Sequence, residues 1–217
     1  MADINNQVVF SEEIQQQIDA KVAQEEFNYT KWGEADLQTV RSYIRNFYKN
    51  EQTGICAYCK GSVSLISALN CHVEHIVPKS LHFDFIFTPK NLCVICADCN
   101  TIKREQETLG VIPETLENAQ AVLYPRTSNS FKIVHPHFDV YSEHILIKNG
   151  FYVDKSMKGH FTIGACKLNR RLHIFGYEIT EDERIDEMMF SYLDEKDHLE
   201  KNRIFNQLGQ LINNQQG

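Results

Sequence analysis

The sequence is short of basic residues and has no long apolar run. Its 22 Lys and Arg residues face 29 Asp and Glu residues, which gives a formal net charge of −7. Because phosphate binding depends on Lys and Arg, this balance argues against a protein that coats nucleic acid over its whole surface. No segment approaches the roughly 18 uncharged apolar residues of a membrane span. The first residues also lack the basic and apolar pattern of a signal peptide, so we expect a cytoplasmic protein without membrane contact.

The composition is that of a folded protein. The chain has 217 residues, of which 42% are hydrophobic and 11% aromatic, enough to form a buried core. This length suits one elaborated domain or a small domain with extensions. We expect three segments, namely a helical extension at 1–52, a central core at 53–110 and a C-terminal α+β and helical region at 111–217.

Helices and short strands are predicted in separate parts of the chain. Apolar residues at helical spacing, with capping residues, predict helices at 11–30, at 35–49, from a capping box at 180–183 and at about 197–213. Between 125 and 178, Pro and Gly separate short β-branched and aromatic segments. We predict short strands there, at the sequences FKIV, HILI, GFYV and HFTI. The fold class is therefore α+β.

The acidic residues are concentrated at the two ends of the chain. Residues 1–55 hold 5 basic and 9 acidic residues, and residues 176–217 hold 4 and 10. Residues 56–175 hold 13 basic and 10 acidic residues, a net charge of +3. An anionic ligand therefore suits the middle of the chain, and the acidic ends favour docking onto a protein partner, which we expect to be basic.

The cysteines are unevenly placed, since six of the seven fall between positions 56 and 99. An odd count without a secretion pattern argues against a disulfide framework and favours metal binding. Two C-x2-C pairs, Cys56/Cys59 and Cys96/Cys99, provide the four thiolates of a closed tetrahedral zinc site. Cys93/Cys96 has the same spacing, so Cys93 or Cys71 remains an alternative ligand, although Cys93 lies in an apolar run that favours a buried strand. A set of buried free thiols is the other interpretation.

A carboxylate, an imidazole and two amides lie between or beside the cysteine pairs. Glu74 and His75 are adjacent, Pro78 follows them, and Asn91 and Asn100 come later. Carboxylate and amide oxygens bind hard cations such as Mg2+, and a neutral imidazole can take a proton from water. These are the groups that metal-assisted hydrolysis of a phosphodiester requires.

The pattern resembles the HNH endonucleases, which have a ββα-metal fold. The resemblance covers residues 54–104 alone, and Glu74 stands where that family more often has Asp. Its motifs are Cys56-Ala-Tyr-Cys59, Glu74-His75 with Pro78, Asn91-Leu92 and Cys96-Ala-Asp-Cys99-Asn100-Thr-Ile-Lys103.

The resemblance implies a role for each matching residue. His75 would be the general base, Asn91 would fix the loop that orients His75, and Glu74 with Asn100 would hold one Mg2+ or other divalent cation. The structural zinc would be held by Cys56, Cys59, Cys96 and Cys99. Lys79, Lys103 and Arg104 are the candidate phosphate contacts, with solvated surface charge as the alternative.

A weaker resemblance extends beyond this core. Pro-Lys-Ser after Glu-His, with His135-Pro136 and residues 167–172 downstream, is similar to the HNH subunit of Septu-type and retron-linked anti-phage systems. That subunit pairs with an ATPase, so the resemblance implies an effector nuclease in a defence complex. The remaining His, Asp and Glu residues between 135 and 160 are interpreted as turn and surface residues, because no ligand spacing repeats among them.

The leading hypothesis is a metal-dependent endonuclease that acts on DNA, with RNA as a further possible substrate. The alternative is a non-catalytic zinc-stapled module that binds nucleic acid or protein. A redox thiol protein is disfavoured, because no βαβ pattern accompanies the C-x2-C pairs.

Overall fold

Helices make up most of the regular structure, and two short antiparallel strand pairs complete it, so the predicted α+β class is confirmed. A computed structural model describes residues 2–176 and 183–214. The chain divides into one compact unit formed by Met1–Leu146 with Val153–Leu168, and a second formed by Ile147–Tyr152 with Asn169–Gly217. The first unit takes in residues from all three predicted segments.

The elements follow one another as short pieces joined by turns. The helices are α1 Glu12–Val22, α2 Gln38–Glu51, α3 Ala97–Thr108, α4 Tyr141–His144, α5 Met157–Ala165, α6 Arg170–Phe175, α7 Glu183–Asp194 and α8 His198–Asn214. The strands are β1 His72–His75, β2 Leu92–Ile95, β3 Ile145–Lys148 and β4 Phe151–Asp154. In the described residues, no helix is both long and apolar enough to span a membrane.

The first predicted helix is shorter than expected. It begins after Ser11, whose hydroxyl accepts a hydrogen bond from the Ile14 N–H, and it ends at Val22 rather than near residue 30. Asn28 accepts a hydrogen bond from the Thr30 N–H at 3.0 Å and starts a separate 3-10 helix at Tyr29–Gly33. Short polar side chains compete with helical hydrogen bonds in this way, so the chain turns where apolar spacing predicted continuation.

Helix α2 matches its prediction and supports the central strands. Val40, Ile44 and Tyr48 form its buried face, and it packs against β1 and β2. The side chain of Gln52, just after the helix, exchanges two hydrogen bonds with the backbone of Val94, at 2.7 and 2.9 Å. Because Val94 lies in β2, these bonds satisfy backbone groups at the edge of the strand pair.

Strands β1 and β2 are antiparallel, and α3 follows β2 directly. Their register places Glu74 opposite Cys93 and His75 opposite Leu92. All four residues of β2 are buried, as its apolar run predicts. Cys96 is the N-cap residue of α3, and α3 packs against β1.

The strand predictions for 125–178 are correct in part. HILI and GFYV overlap β3 and β4, but FKIV forms only an isolated bridge between Leu116 and Phe131, and HFTI lies inside α5. Helix α5 forms because Ser156 caps it, accepting a hydrogen bond from the Gly159 N–H at 3.1 Å. The predicted capping box at 180–183 falls largely outside the described residues.

Helices α7 and α8 form the larger part of the second unit and pack against each other. Both agree with the predicted helices at the C-terminal end of the chain. Their buried residues include Ile185, Met189, Tyr192 and Leu208.

Candidate metal centre and active-site cleft

Four cysteines come together at one end of the β1–β2 pair. One sulfur each from Cys56, Cys59, Cys96 and Cys99 lies within 4.8 Å of all the others, and the sulfurs of Cys59 and Cys96 are 3.6 Å apart. Zinc–sulfur bonds of about 2.3 Å in a tetrahedron place the sulfurs roughly 3.8 Å apart. The cluster can therefore hold a zinc ion, as the two C-x2-C pairs predict.

Backbone geometry around the cysteines supports the same conclusion. The Cys56 side chain has the largest effect in lowering the pKa of Cys59 and of Cys96, and the N–H groups of Gly61 and Cys99, which hydrogen-bond to these two sulfurs, lower it further and favour the thiolate form. Lys60 has a left-handed conformation, with φ of 57°, which closes the turn between Cys59 and Gly61. Backbone donors aimed at sulfur stabilise the charge that a zinc ligand carries.

The other three cysteines lie outside this cluster. Cys71, Cys93 and Cys166 are each about 1% exposed or less. Burial raises the pKa of Cys71 and Cys93, which keeps both thiols protonated. The ambiguity among the C-x2-C spacings is thus resolved in favour of the pair Cys96 and Cys99.

Beside the cluster, β1, α2, α3 and the Tyr29–Gly33 segment enclose a cleft of about 650 Å3. We call it the basic cleft, because five Lys and Arg residues line it against two carboxylates, Glu74 and Glu107. The predicted site residues that line it are Glu74, His75, Lys79, Asn100, Lys103 and Arg104. The fold therefore brings together residues that are separated by up to 30 positions in the sequence.

His75 is held in one orientation. Its Nε2 lies 3.0 Å from the carbonyl oxygen of Ile86, and Trp32 packs edge-on against its ring at 4.6 Å between centroids. Because a carbonyl oxygen only accepts hydrogen bonds, Nε2 must carry the proton and Nδ1 is left with a lone pair. Burial lowers the pKa of His75 to about 3, helped by the nearby ammonium of Lys79. The imidazole is therefore neutral near pH 7.

Asn91 is fully buried and fastens the loop that joins β1 to β2. Its Oδ1 accepts a hydrogen bond from the Val77 N–H at 2.7 Å, and its Nδ2 donates to the carbonyl oxygens of Val77 and Phe85 at 3.2 and 3.0 Å. Phe85 precedes Ile86, whose carbonyl oxygen accepts the hydrogen bond from His75 Nε2. Asn91 does not line the cleft, so in this structure it acts on His75 through the loop.

Two of the predicted phosphate-binding lysines are already paired. Lys103 contacts the carboxylate of Glu74, and Lys79 donates to Glu107 at 2.9 Å. Burial lowers the pKa of Lys103, but the Glu74 carboxylate, together with smaller contributions from Cys166 and Cys93, raises it overall. Both lysines therefore neutralise carboxylates within the cleft.

The cleft contains oxygen donors that suit a hard divalent cation. Glu74 supplies a carboxylate and Asn100 an amide, both on the lining of the cleft, and this is the donor chemistry that Mg2+ prefers. Lys103 holds one oxygen of Glu74, so a cation would share that carboxylate with the ammonium or displace it. His72 also lines the cleft, but its Nε2 is bonded to the Leu69 carbonyl oxygen at 3.0 Å.

Sequence reasoning missed the part of the cleft lining that comes from residues before the central core. Arg41 and Arg45 line it from α2, and Tyr29 and Trp32 line it from the preceding segment. The two arginines are four residues apart and therefore share one helix face. That spacing was a usable signal, but it lay in a segment with a net negative charge.

Within residues 135–160, His135 and Asp139 belong to a hydrogen-bonded network and not to a second metal site. His135 is fully buried rather than on the surface, and its Nε2 lies 2.8 Å from the Tyr124 hydroxyl. Asp139 accepts hydrogen bonds from the His135 N–H and from Ser128, and pairs with Lys158. Within residues 2–176 and 183–214, the cysteine cluster is the single group of three or more His, Cys, Asp or Glu residues close enough to share a metal ion.

Comparison with protein-family models and curated proteins identifies no relative of this chain, since no family model and no curated protein matches the sequence. The geometry of the zinc-type cluster and the basic cleft is therefore the basis for any function assigned to the chain.

Proposed function

We propose that this chain is a metal-dependent endonuclease of the HNH type, in which β1, β2 and α3 form a ββα-metal core stapled by a zinc ion. The observation that carries the proposal is the state of His75. It is a neutral imidazole with Nδ1 unprotonated, and it lines the basic cleft together with Glu74. A fixed, neutral imidazole beside a phosphate site is the arrangement of a general base.

Each of these residues has a separate role in the proposed hydrolysis. His75 takes a proton from the attacking water at Nδ1, and the Ile86 carbonyl holds its opposite nitrogen in place. Asn91 fastens the loop that carries this carbonyl by donating to the carbonyl oxygen of the preceding residue, Phe85. Glu74 and Asn100 would hold a divalent cation, which would supply positive charge at the scissile phosphate and the leaving oxygen. The zinc cluster fixes the start of α3, and with it Asn100, relative to β1.

The substrate and partner belong to the same proposal. We expect DNA as the substrate. RNA is a second candidate, because none of the described residues of the cleft distinguishes ribose from deoxyribose. The resemblance to the HNH subunit of Septu-type systems supports a role as the nuclease of an anti-phage complex with an ATPase. The acidic segments at the two ends, with net charges of −4 and −6, suit docking onto a basic protein surface.

A plasmid-nicking assay tests the activity. The purified chain should nick supercoiled DNA when Mg2+ is added and should not do so without it. His75→Ala should lower the rate by about 10^2- to 10^4-fold, while the zinc content and the circular dichroism spectrum stay unchanged. His75→Asn serves as a second variant, since it keeps a polar group near Ile86. His173→Ala is the control, because His173 is exposed. Mg2+-dependent nicking at the normal rate by His75→Ala would refute the assignment.

A non-catalytic zinc-stapled module is the second candidate, and one contact favours it. Lys103 already neutralises Glu74, which weakens the attraction of that carboxylate for a cation. In that case the wild-type chain would bind a labelled DNA without nicking it at any Mg2+ concentration. Measuring binding and nicking on the same preparation separates the two functions.

A further inference from the structure

Five cations line the basic cleft, but they are not equally available to a ligand. Lys79 and Lys103 are paired with Glu107 and Glu74. Arg41 donates to the carbonyl oxygens of Trp32 and Glu34 at 2.6 and 2.8 Å. These three side chains have partners within the protein, so each would lose an existing interaction on binding an anion.

Arg45 differs from those three residues. Its Nε is buried without a hydrogen-bond partner, and its Nη1 reaches only Ser42 Oγ, at 3.5 Å. Among the described residues, no carboxylate lies within ion-pair distance of it. A buried donor left unpaired costs free energy, and the cost is larger when the group is charged.

A second cation lies close to Arg45 and increases this cost. The positive charge of Arg45 lowers the pKa of the Arg41 guanidinium, in addition to the larger effect of burial. Arg41 and Arg45 therefore repel each other across one face of α2. An anion bound at Arg45 would satisfy the unpaired donor and also reduce this repulsion.

The chemistry of Arg45 indicates which anion fits. The Nε and Nη donors of a guanidinium are coplanar and match two oxygens of a phosphate group. Arg104 lines the same cleft from α3, is exposed, and has no ion-pair partner among the described residues. Two available arginines on different helices suit two phosphates of one strand better than a single free anion.

We propose that Arg45 binds a backbone phosphate of the nucleic-acid strand that enters the basic cleft, and that Arg104 binds a neighbouring phosphate of the same strand. The inference rests on the proposed function for the identity of the strand. In this arrangement, helix α2 belongs to the substrate-binding site, whereas the sequence pattern placed it in an acidic extension that docks onto a protein partner. Lys79 and Lys103 then serve chiefly to neutralise the carboxylates of Glu107 and Glu74.

Binding of a short fluorescein-labelled DNA, single-stranded and duplex, tests this inference without added Mg2+. Arg45→Gln should raise Kd about tenfold. It should also reduce the slope of log Kd against log salt by about 1, the change expected when one phosphate contact is lost. Arg45→Lys should lie in between, because it keeps the charge but loses the paired donors. Arg203→Gln makes the same charge change on an exposed residue of α8 and should leave Kd within about twofold.

Thermal unfolding separates a binding role from a structural role. Arg45→Gln removes an unpaired buried donor and a like-charge repulsion, so Tm should stay the same or rise. A lower Tm together with unchanged Kd would show that Arg45 is structural and would overturn the proposal. Inorganic phosphate provides a further arm. Arg45-dependent stabilisation by phosphate, combined with unchanged DNA binding in Arg45→Gln, would show a free-anion site instead.

The outcomes distinguish this inference from the nuclease proposal. A wild-type chain that nicks DNA while Arg45→Gln binds DNA normally would overturn only the role of Arg45. A wild-type chain that never nicks DNA, but binds it in an Arg45-dependent way, would overturn only the nuclease activity.

Discussion

Lys103 contacts the carboxylate of Glu74 inside the basic cleft, and each side chain is only 9% exposed. The pair joins α3 to β1, the two elements that carry the proposed cation ligands. Burying two charges is costly, and their mutual attraction with good geometry offsets that cost. Removing either partner leaves a buried charge without compensation, which is far more destabilising than removing both.

A double-mutant cycle measures this contact. Glu74→Gln or Lys103→Met alone should lower the free energy of unfolding by about 3 kcal/mol, whereas the double variant should lose less than the sum of the two. Urea denaturation with zinc present gives all four free energies. Glu200→Gln, which breaks the exposed pair with Arg203, is the control and should cost less than about 1 kcal/mol. Strictly additive losses at Glu74 and Lys103 would show that the contact contributes nothing.

Removing a cysteine of the cluster should remove the metal and destabilise the fold. Cys59→Ser and Cys99→Ser each leave three sulfurs, and because structural zinc binding contributes folding free energy, both variants should lose zinc and melt at a lower temperature. Metal analysis and circular dichroism are the measurements. Cys71→Ser changes a buried thiol outside the cluster and should keep one zinc per chain. Loss of zinc from Cys71→Ser alone would mean that the ligand set is wrong.

Asn91→Ala should destabilise the chain and lower its activity. The substitution leaves the Val77 N–H without its partner and removes the donors to Val77 and Phe85, all in a buried loop. Unpaired buried groups cost about 1–3 kcal/mol each, so we expect a loss of roughly 3 kcal/mol in denaturant unfolding. Asn206→Ala, at an exposed position of α8, should change stability by no more than about 0.5 kcal/mol. Equal effects of the two substitutions would contradict the anchoring role of Asn91.

Two glycines of α5 provide a matched pair. A methyl group on Gly159 would lie 1.9 Å from the carbonyl oxygen of His144, whereas one on Gly164 would meet nothing within 4 Å. Gly159→Ala should therefore destabilise the chain by about 2 kcal/mol or more. Gly164→Ala should stabilise it by roughly 0.5–1 kcal/mol, because Ala has the higher helix propensity. Thermal melts of the two variants, made side by side, should shift in opposite directions.

The parts that were predicted well depend on residues close together in the chain. The apolar spacing of Val40, Ile44 and Tyr48 was enough to predict α2, and the C-x2-C spacing was enough to predict which turns carry sulfurs. Where a longer-range contact competed, prediction failed. The end of α1 moved because Asn28 caps a separate turn, and HFTI is helical because Ser156 caps α5, while Gly159 allows that helix to pack closely against the backbone at His144.

The candidate site shows the same division. Its motif residues were found from local spacing, and the fold places Glu74, His75 and Asn100 on one cleft. The contribution of α2 was missed, since the spacing of Arg41 and Arg45 places them on one helix face but does not say that this face meets β1 and α3. The pairing of Lys79 with Glu107 and of Lys103 with Glu74 was also missed, because each joins residues about 30 positions apart.

The sequence by itself determined the α+β class, the central helix α2, the presence of paired C-x2-C motifs and the charge difference between the ends and the middle of the chain. Each of these follows from side-chain type and short spacing. Only the tertiary structure decided which nitrogen of His75 carries the proton, which cations of the cleft are already paired and which one is not. The physical reason is that tautomer, pairing and burial depend on contacts between distant segments, such as Ile86 with His75 and α2 with β1.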